Sequence, residues 1–339
     1  MRYAGVSNVK KGIVLTPRHI ATLFTKLVDL KDNDRIVDLC CGTGAFLIAG
    51  MNALISKIHS SNRSDKIEAI TNVKNKQLLG FELNSTMFIC AVSNMLFRGD
   101  GKSSIYNCDA IKDIKAQEIL NEFQTTIGFI NPPYSGKENK EDPTPKEITF
   151  LIKLLDNCSR YGIIIAPLST YFKDEGIRKN ILTKHTLKYV INMPSDLFQP
   201  NASTHTSIAV FETNRSFRYD KDEVTFFDLR DDGFMLSKSK GRTDIYGRWL
   251  QIEHDLLENL KPNATPDDIT LVRTKIKPGD EWTIYAHSKT DYSTLCENDF
   301  IKSISDYMIF QAKKDLNILD KDISESEMIN VIGAYYNGT

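Results

Sequence analysis

The chain has 339 residues, with 43 Lys+Arg against 44 Asp+Glu and a formal charge of −1. Hydrophobic residues make up 41% and charged residues 26%, a globular composition that excludes disordered and fibrous classes and provides for a sizeable core. The near-zero charge excludes a surface that grips nucleic acid by bulk electrostatics, so such contact must come from a local patch or be shared with a partner.

No stretch approaches the ~18 uninterrupted apolar residues of a membrane helix. The segment before Pro17 holds no apolar run long enough for a signal peptide, so the chain is expected to stay in the cytosol. The cysteines, Cys40, Cys41, Cys90, Cys108, Cys158 and Cys296, form no CxxC pair and have no histidine at metal-ligand spacing. They are expected to be reduced, mostly buried thiols, with no metal bound.

In chain order, a helical pattern covers 17–30, with Thr16 as its cap and Pro17 at its first position. A strand at 35–39 and a helical pattern at 44–57 follow. The polar segment 57–76, with five basic and two acidic residues, reads as an exposed loop. Strands at 77–83, 104–108 and 127–130 are separated by a helical pattern at 85–97, and 135–147 reads as a second exposed loop. Helical patterns at 146–157 and 174–182 flank a strand at 162–167, and strands at 188–193, 207–211 and 224–229 complete the series. This alternation predicts an α/β fold with a doubly wound, mostly parallel sheet of seven to eight strands. The last strands follow one another without a crossover helix, so the sheet is expected to end in an antiparallel pair. After about residue 230 the alternation stops, and Phe300, Ile304, Tyr307 and Met308 share one face of a late helix. The expected division is an α/β domain over 1–235 and a mainly helical C-terminal extension over 236–339.

The first strand runs into Asp38-Leu-Cys-Cys41-Gly42-Thr43-Gly44. An acid at a strand end, a glycine turn and then a helix make a nucleotide-type crevice: the glycines admit close backbone approach, and the helix N-terminus favours a carboxylate or phosphate. Leu47 stands where a dinucleotide fingerprint has its third glycine, and no Lys-Ser/Thr follows as in a P-loop. A plain connecting turn is the alternative on this motif alone. Glu82 ends the second strand, where one carboxylate accepts from both hydroxyls of a ribose diol. Asp109, followed by Ala110, ends the third, where it suits an adenine amino group. Three acids at successive strand ends converge on one crevice.

The fourth strand ends in Asn131-Pro132-Pro133-Tyr134. The prolines fix the backbone and remove two donors, which concentrates acceptors at the Asn131 side-chain oxygen and the Pro132 carbonyl. Two such acceptors suit an exocyclic or amide NH2, one for each hydrogen, and Tyr134 adds an aromatic face for a planar substrate.

Together these motifs resemble S-adenosylmethionine-dependent amino methyltransferases. The segment Lys11-Gly-Ile-Val-Leu-Thr16-Pro17 ahead of the glycine turn narrows the likeness to the gamma class of DNA adenine-N6 methyltransferases. The turn, with Ile165-Ala-Pro-Leu168, Gly176-Ile-Arg178, Met193-Pro-Ser-Asp-Leu-Phe198 and Phe227-Asp-Leu-Arg230, resembles the modification subunit of type I restriction-modification systems over about 11–235. Leu39 and Ala45 replace a usual Pro and Gly of that turn.

The resemblance implies the class I S-adenosylmethionine-dependent methyltransferase fold and a cofactor set of Thr16, Pro17, Asp38, Cys41, Gly42, Thr43, Gly44, Glu82, Asp109 and Ala110. Thr16 and the turn hold the methionine end, Glu82 the ribose and Asp109 the adenine. It implies Asn131, Pro132, Pro133 and Tyr134 as the catalytic residues, acting on an adenine flipped out of duplex DNA. Phe198 falls where a second aromatic packs on that base, though a core phenylalanine reads equally well. The expected partners are double-stranded DNA, a separate specificity subunit and a restriction subunit. Residues 296–339 hold eight acids and four bases, which suits docking to a specificity subunit better than facing DNA. Protein-glutamine and RNA amino-group methyltransferases share the Asn-Pro-Pro-Tyr chemistry, and a non-catalytic cofactor-binding assembly subunit is a third alternative.

Overall fold

The computed structural model describes residues 15–99, 104–134, 145–200, 202–237, 241–289, 295–315 and 333. The elements are α1 (Arg18–Lys26), β1 (Ile36–Asp38), α2 (Ala45–Ser60), α3 (Lys66–Lys76), β2 (Leu78–Phe81), α4 (Ser85–Phe97), β3 (Ser104–Tyr106), α5 (Ile114–Phe123) and β4 (Ile127–Ile130). They continue with α6 (Lys146–Asn157), β5 (Tyr161–Pro167), α7 (Glu175–Lys184), β6 (Thr186–Asn192), β7 (Thr206–Glu212) and β8 (Val224–Asp228). The remainder are β9 (Met235–Ser237), β10 (Gly241–Thr243), α8 (Trp249–Asn259), β11 (Leu271–Thr274) and α9 (Glu297–Asp315).

Nine strands form one sheet in the order β11-β8-β6-β7-β5-β4-β1-β2-β3, one strand more than the upper expectation. Strand residues alternate between two cores. Ile36, Leu78, Ile127, Phe129 and Ile163 pack on the face that also buries residues of α1–α4 and α8. Val37, Leu79, Ile130 and Ile164 pack on the opposite face with residues of α5, α6 and α7. This is the three-layer, doubly wound arrangement that the alternation implied.

The sequence runs from β1 outward through β2 and β3, then returns to place β4 on the other side of β1, with Ile36 opposite Ile127 and Val37 opposite Gly128. The strand order therefore reverses between β1 and β4, and the crevice outside their carboxyl ends is where an open α/β sheet takes its ligand.

Three expectations change. The antiparallel pairing is not confined to the sheet end: β7 lies between β5 and β6, antiparallel to both, and β8 runs parallel to β6. All of β7 except Glu212 is buried, and a strand apolar on both faces needs a neighbour on each side. The sheet does end in an antiparallel pair, formed by β11 and β8. The segment 57–76 is not a loop, because α2 continues to Ser60 and α3 follows; Ala69 and Val73, one turn apart, are buried while the charges face outward. The cysteines are free, but only Cys41 and Cys158 are fully buried.

The first compact unit runs to Ser288, so α8 and β11, which lie beyond the expected division at 235, belong to it. The second begins at Lys289. In it α9 spans the expected late helix, and Phe300, Ile301, Ile304, Tyr307 and Phe310 are exposed on it. No helix among the described residues is long and apolar enough to cross a membrane.

The sheet and α6 meet across a glycine. A Cβ on Gly128 of β4 would lie 2.6 Å from Leu154 Cγ and 2.8 Å from Cys158 Sγ, so α6 packs directly on the backbone. Gly128→Ala is expected to lower stability by about 1–3 kcal/mol through overpacking. An unchanged denaturant midpoint would contradict this close approach.

Candidate active site at the carboxyl edge of the sheet

Asp38 ends β1 with 1% of its surface exposed, and its Oδ1 accepts the Cys40 N–H at 3.0 Å. The turn then closes through Gly44 N to Cys41 O at 2.7 Å. Gly42 and Gly44 have φ of +54° and +81°, which favours glycine, and no atom lies within 4 Å of where a Gly42 Cβ would be. The turn thus opens bare backbone onto empty space.

Glu82, just past β2, is held by that backbone. Its Oε2 accepts from Gly42 N at 2.8 Å and its Oε1 from Asn84 N at 2.7 Å. Each carboxylate oxygen carries two acceptor positions, so both can take one more donor. Asn107 supports the same corner, donating to the carbonyls of Glu82 at 2.7 Å and Leu83 at 3.1 Å. Asp109 Oδ1 caps its own turn, accepting from Ile111 N at 2.9 Å and Lys112 N at 3.2 Å.

These three acids line one cavity of about 480 Å³ with Thr16, Cys41, Gly42, Thr43, Ala110 and Asn131–Tyr134. Pro17 and Gly44 stand behind this lining, as the N-cap residues of α1 and α2. Burial pushes the Asp38 carboxyl up to about 8; the Cys40 N–H opposes the shift and the charge of Glu82 adds to it. Burial, with Asp38 and Glu82 beside it, also pushes the Cys40 thiol well up. The thiol therefore stays protonated and donates to the Asn131 carbonyl at 3.2 Å.

Thr16 does not cap α1. The N-cap position falls on Pro17, with no side-chain cap bond, and Thr16 Oγ1 instead accepts from Asn131 Nδ2 at 3.0 Å. That bond crosses 115 residues and directs the carbonyl end of the Asn131 amide away from Thr16. Packed rings hold the two segments together: Phe24 of α1, Phe46 of α2 and Phe129 of β4 lie 4.4, 5.8 and 6.0 Å apart.

Tyr134 is 9% exposed, and its hydroxyl donates to Ile165 O at 3.4 Å. Burial raises its phenol well above the usual range. Phe198 meets it edge to face, with centroids 6.1 Å apart at 76°. Phe198 is itself buried and lies outside the cavity lining, so the two aromatics are neighbours while only Tyr134 faces the cavity.

Sequence reasoning passed over Cys40, Cys108, Lys146 and Phe150 of the lining. Cys40 had a signal in its place beside Asp38; Lys146 and Phe150 had none, since only the return of α6 brings them near. The segment 135–144, part of the second expected loop, lies outside the described residues.

A sequence profile described as N-6 DNA Methylase matches residues 1–315. The type II restriction enzyme and methyltransferase RM.BcgI of Heyndrickxia coagulans is 30% identical over 319 residues, covering 92% of this chain and 48% of that protein. The type I restriction enzyme EcoEI methylase subunit of Escherichia coli is 23% identical over 239 residues, covering 64% of this chain and 45% of that one. The chain thus spans about half the length of the curated relatives it matches. Among solved structures, a modification subunit ascribed to a type I restriction enzyme of Vibrio vulnificus YJ016 superposes with a TM-score of 0.65 at 16% identity, over 84% of this chain and 60% of that one. At that identity the likeness is one of fold.

Asp38 also makes stability depend on pH. Its folded value of about 8 exceeds the ordinary 3.8, so the folded state holds the proton more tightly than the unfolded one. Stability of the ligand-free protein should therefore fall as pH rises from about 4 to about 8, and Asp38→Asn should flatten that decline. A decline of the same slope in Asp38→Asn would assign it to other groups.

Proposed function

The chain belongs to the N-6 DNA methylase family, and from that premise we propose that it transfers a methyl group from S-adenosylmethionine to the N6 amine of an adenine flipped out of duplex DNA. The observation that carries this reading is the pairing of two sites at one strand crossover: a carboxylate-lined cavity at β1 and β2, and the acceptor-rich Asn131–Tyr134 turn at β4.

S-adenosylmethionine fits the residues present. Asp38, Glu82 and Asp109 offer three carboxylates to a ligand carrying a sulfonium and an ammonium charge. Glu82, held by two backbone donors, would take the ribose hydroxyls, and Asp109 of the same cavity would accept from the adenine amino group. Thr16 and the turn from Cys41 to Gly44 would hold the methionine end, and the open space at Gly42 gives room for it. When bound, the cofactor supplies an electrophilic methyl group.

The rest is done by the chain. A base must leave the stack before its amine is reachable, at a cost of a few kcal/mol. Asn131 Oδ1 and the Pro132 carbonyl each accept one hydrogen of that amine, and this raises the nucleophilicity of the nitrogen. Pro133 keeps the turn rigid and Tyr134 faces the base, with Phe198 packed against its edge. The contribution is orientation and fixed dipoles, with no group that need shift its proton first. As the N6–CH3 bond forms the S–CH3 bond would break to leave the neutral thioether, and one of the two hydrogens held by Asn131 and Pro132 would then leave as a proton to solvent.

The proposed partners are double-stranded DNA, a specificity subunit and a restriction subunit. Supporting this, the EcoEI relative is named a methylase subunit. The exposed apolar residues Phe300, Ile304 and Tyr307 of α9 are a docking face for the specificity subunit in this reading. Among the basic groups, Arg178 is buried and donates to the carbonyls of Gly279 at 2.8 Å and Asp280 at 3.1 Å, so it is not a phosphate contact.

The test is nucleoside analysis of genomic DNA from a host lacking adenine methylation, expressing the chain with its neighbouring reading frames. N6-methyladenine is expected. Its absence despite cofactor binding would move the substrate to RNA or protein. Asn131→Ala is expected to lower turnover about a hundredfold or more while leaving cofactor affinity largely intact. Retained turnover in that variant would remove the mechanism.

A further inference from the structure

Asp232 is fully buried, three residues before β9, and accepts from three directions. Arg242 of β10 donates to its two oxygens at 2.6 and 2.8 Å, His19 Nε2 of α1 lies 3.1 Å from Oδ2, and Phe234 N donates to Oδ1 at 3.1 Å. The carboxyl is held down to about 2: burial alone would raise it, and the bonds from His19 and Arg242 outweigh that.

Arg242 is nearly buried as well, and its guanidinium reaches past Asp232 into the β6–β7 loop. It donates to Asp196 Oδ1 at 3.1 Å and Leu197 O at 3.4 Å, the two residues before Phe198. The Nη2 that serves Asp196 and one oxygen of Asp232 also lies 3.1 Å from Phe234 O. His19, three residues after Thr16, stacks on Phe234 at 3.9 Å and meets Trp249 edge-on at 4.7 Å. Further along α1, Lys26 pairs with the buried Glu253 of α8 at 2.5 Å.

One charged cluster therefore grips two segments far apart in sequence. The first carries Thr16, whose hydroxyl orients the Asn131 amide; the second carries Phe198, which packs on Tyr134. We propose that Arg242 and Asp232 are positioning residues for the target-base pocket, setting Thr16 and Phe198 at a fixed distance from Asn131 and Tyr134. This rests on the reading of Asn131 and Tyr134 as the groups that hold the adenine. The planar fork of arginine is what the role demands: two carboxylates and two carbonyls lie in different directions, and the single ammonium of lysine cannot span them. Neither residue touches the cavity, so both act through the segments they hold.

Arg242→Lys keeps the charge and shortens the reach. Asp196→Ala removes the loop carboxylate that Arg242 bonds and leaves the buried pair whole, so it serves if the first variant folds poorly. Hydrogen exchange in 194–199 and in 15–20 should rise together, by about threefold or more, in Arg242→Lys, and in 194–199 alone in Asp196→Ala. In the complex that methylates DNA, Arg242→Lys should lower turnover about tenfold with S-adenosylmethionine affinity within about threefold of the starting protein. Adding Phe198→Leu to Arg242→Lys should cost little more, because both act through one loop.

Exchange rising in only one segment of Arg242→Lys, no rise at 194–199 in Asp196→Ala, additive losses in the double variant, or unchanged turnover would each overturn the proposal. A starting protein that methylates no DNA overturns the functional reading instead, and the paired exchange result still decides whether the cluster couples the two segments.

Discussion

The hydrogen bond from Asn131 Nδ2 to Thr16 Oγ1 is 3.0 Å long and joins the approach to α1 with the end of β4. Without it a primary amide has two orientations of similar size and opposite polarity, and under the proposed reaction, which needs two hydrogens accepted, only one of them serves. The threonine commits the nitrogen end and leaves the carbonyl end in the role of acceptor. Much of the first compact unit serves that geometry. The ring cluster of Phe24, Phe46 and Phe129 packs α1 and α2 against β4, and the Cys40 thiol bonds the backbone carbonyl of Asn131.

The electrostatics of the crevice complement this. Asp38 and Glu82 interact within a largely buried corner, and the folded chain answers by keeping Asp38 protonated through neutral pH. A cation placed there relieves the penalty, because it favours the ionised carboxylate. In the proposed reading, affinity for a sulfonium-bearing cofactor and the strain of the ligand-free pocket would have one origin, the burial of an acid at the end of β1.

How much of this is legible in the sequence depends on separation along the chain. Asp38, Glu82, Asp109 and Asn131 each close a short strand, and a strand end is a local pattern, so their convergence can be read from the residues alone. The placement of β7 between β5 and β6 is not legible, since nothing local distinguishes a hairpin from a strand inserted between two others. The helix α3 is hidden because only Ala69 and Val73 mark its inner face among many polar residues. Thr16 reads as a helix cap on sound local grounds, and a partner 115 residues away takes its hydroxyl. The Asp232–Arg242 cluster is invisible for the same reason: His19 and Asp232 are 213 residues apart, and the arginine lies past the point where the strand-helix alternation stops.

The most direct measurement compares Thr16→Val with Thr16→Ser in methyl transfer to unmethylated DNA at saturating cofactor. Valine keeps the shape and removes the acceptor, whereas serine keeps the hydroxyl. Turnover should fall about tenfold or more in Thr16→Val and stay near the starting value in Thr16→Ser. Equal turnover in the two variants would show that the Asn131 amide needs no partner to be oriented, and would contradict the dependence of the site on this bond.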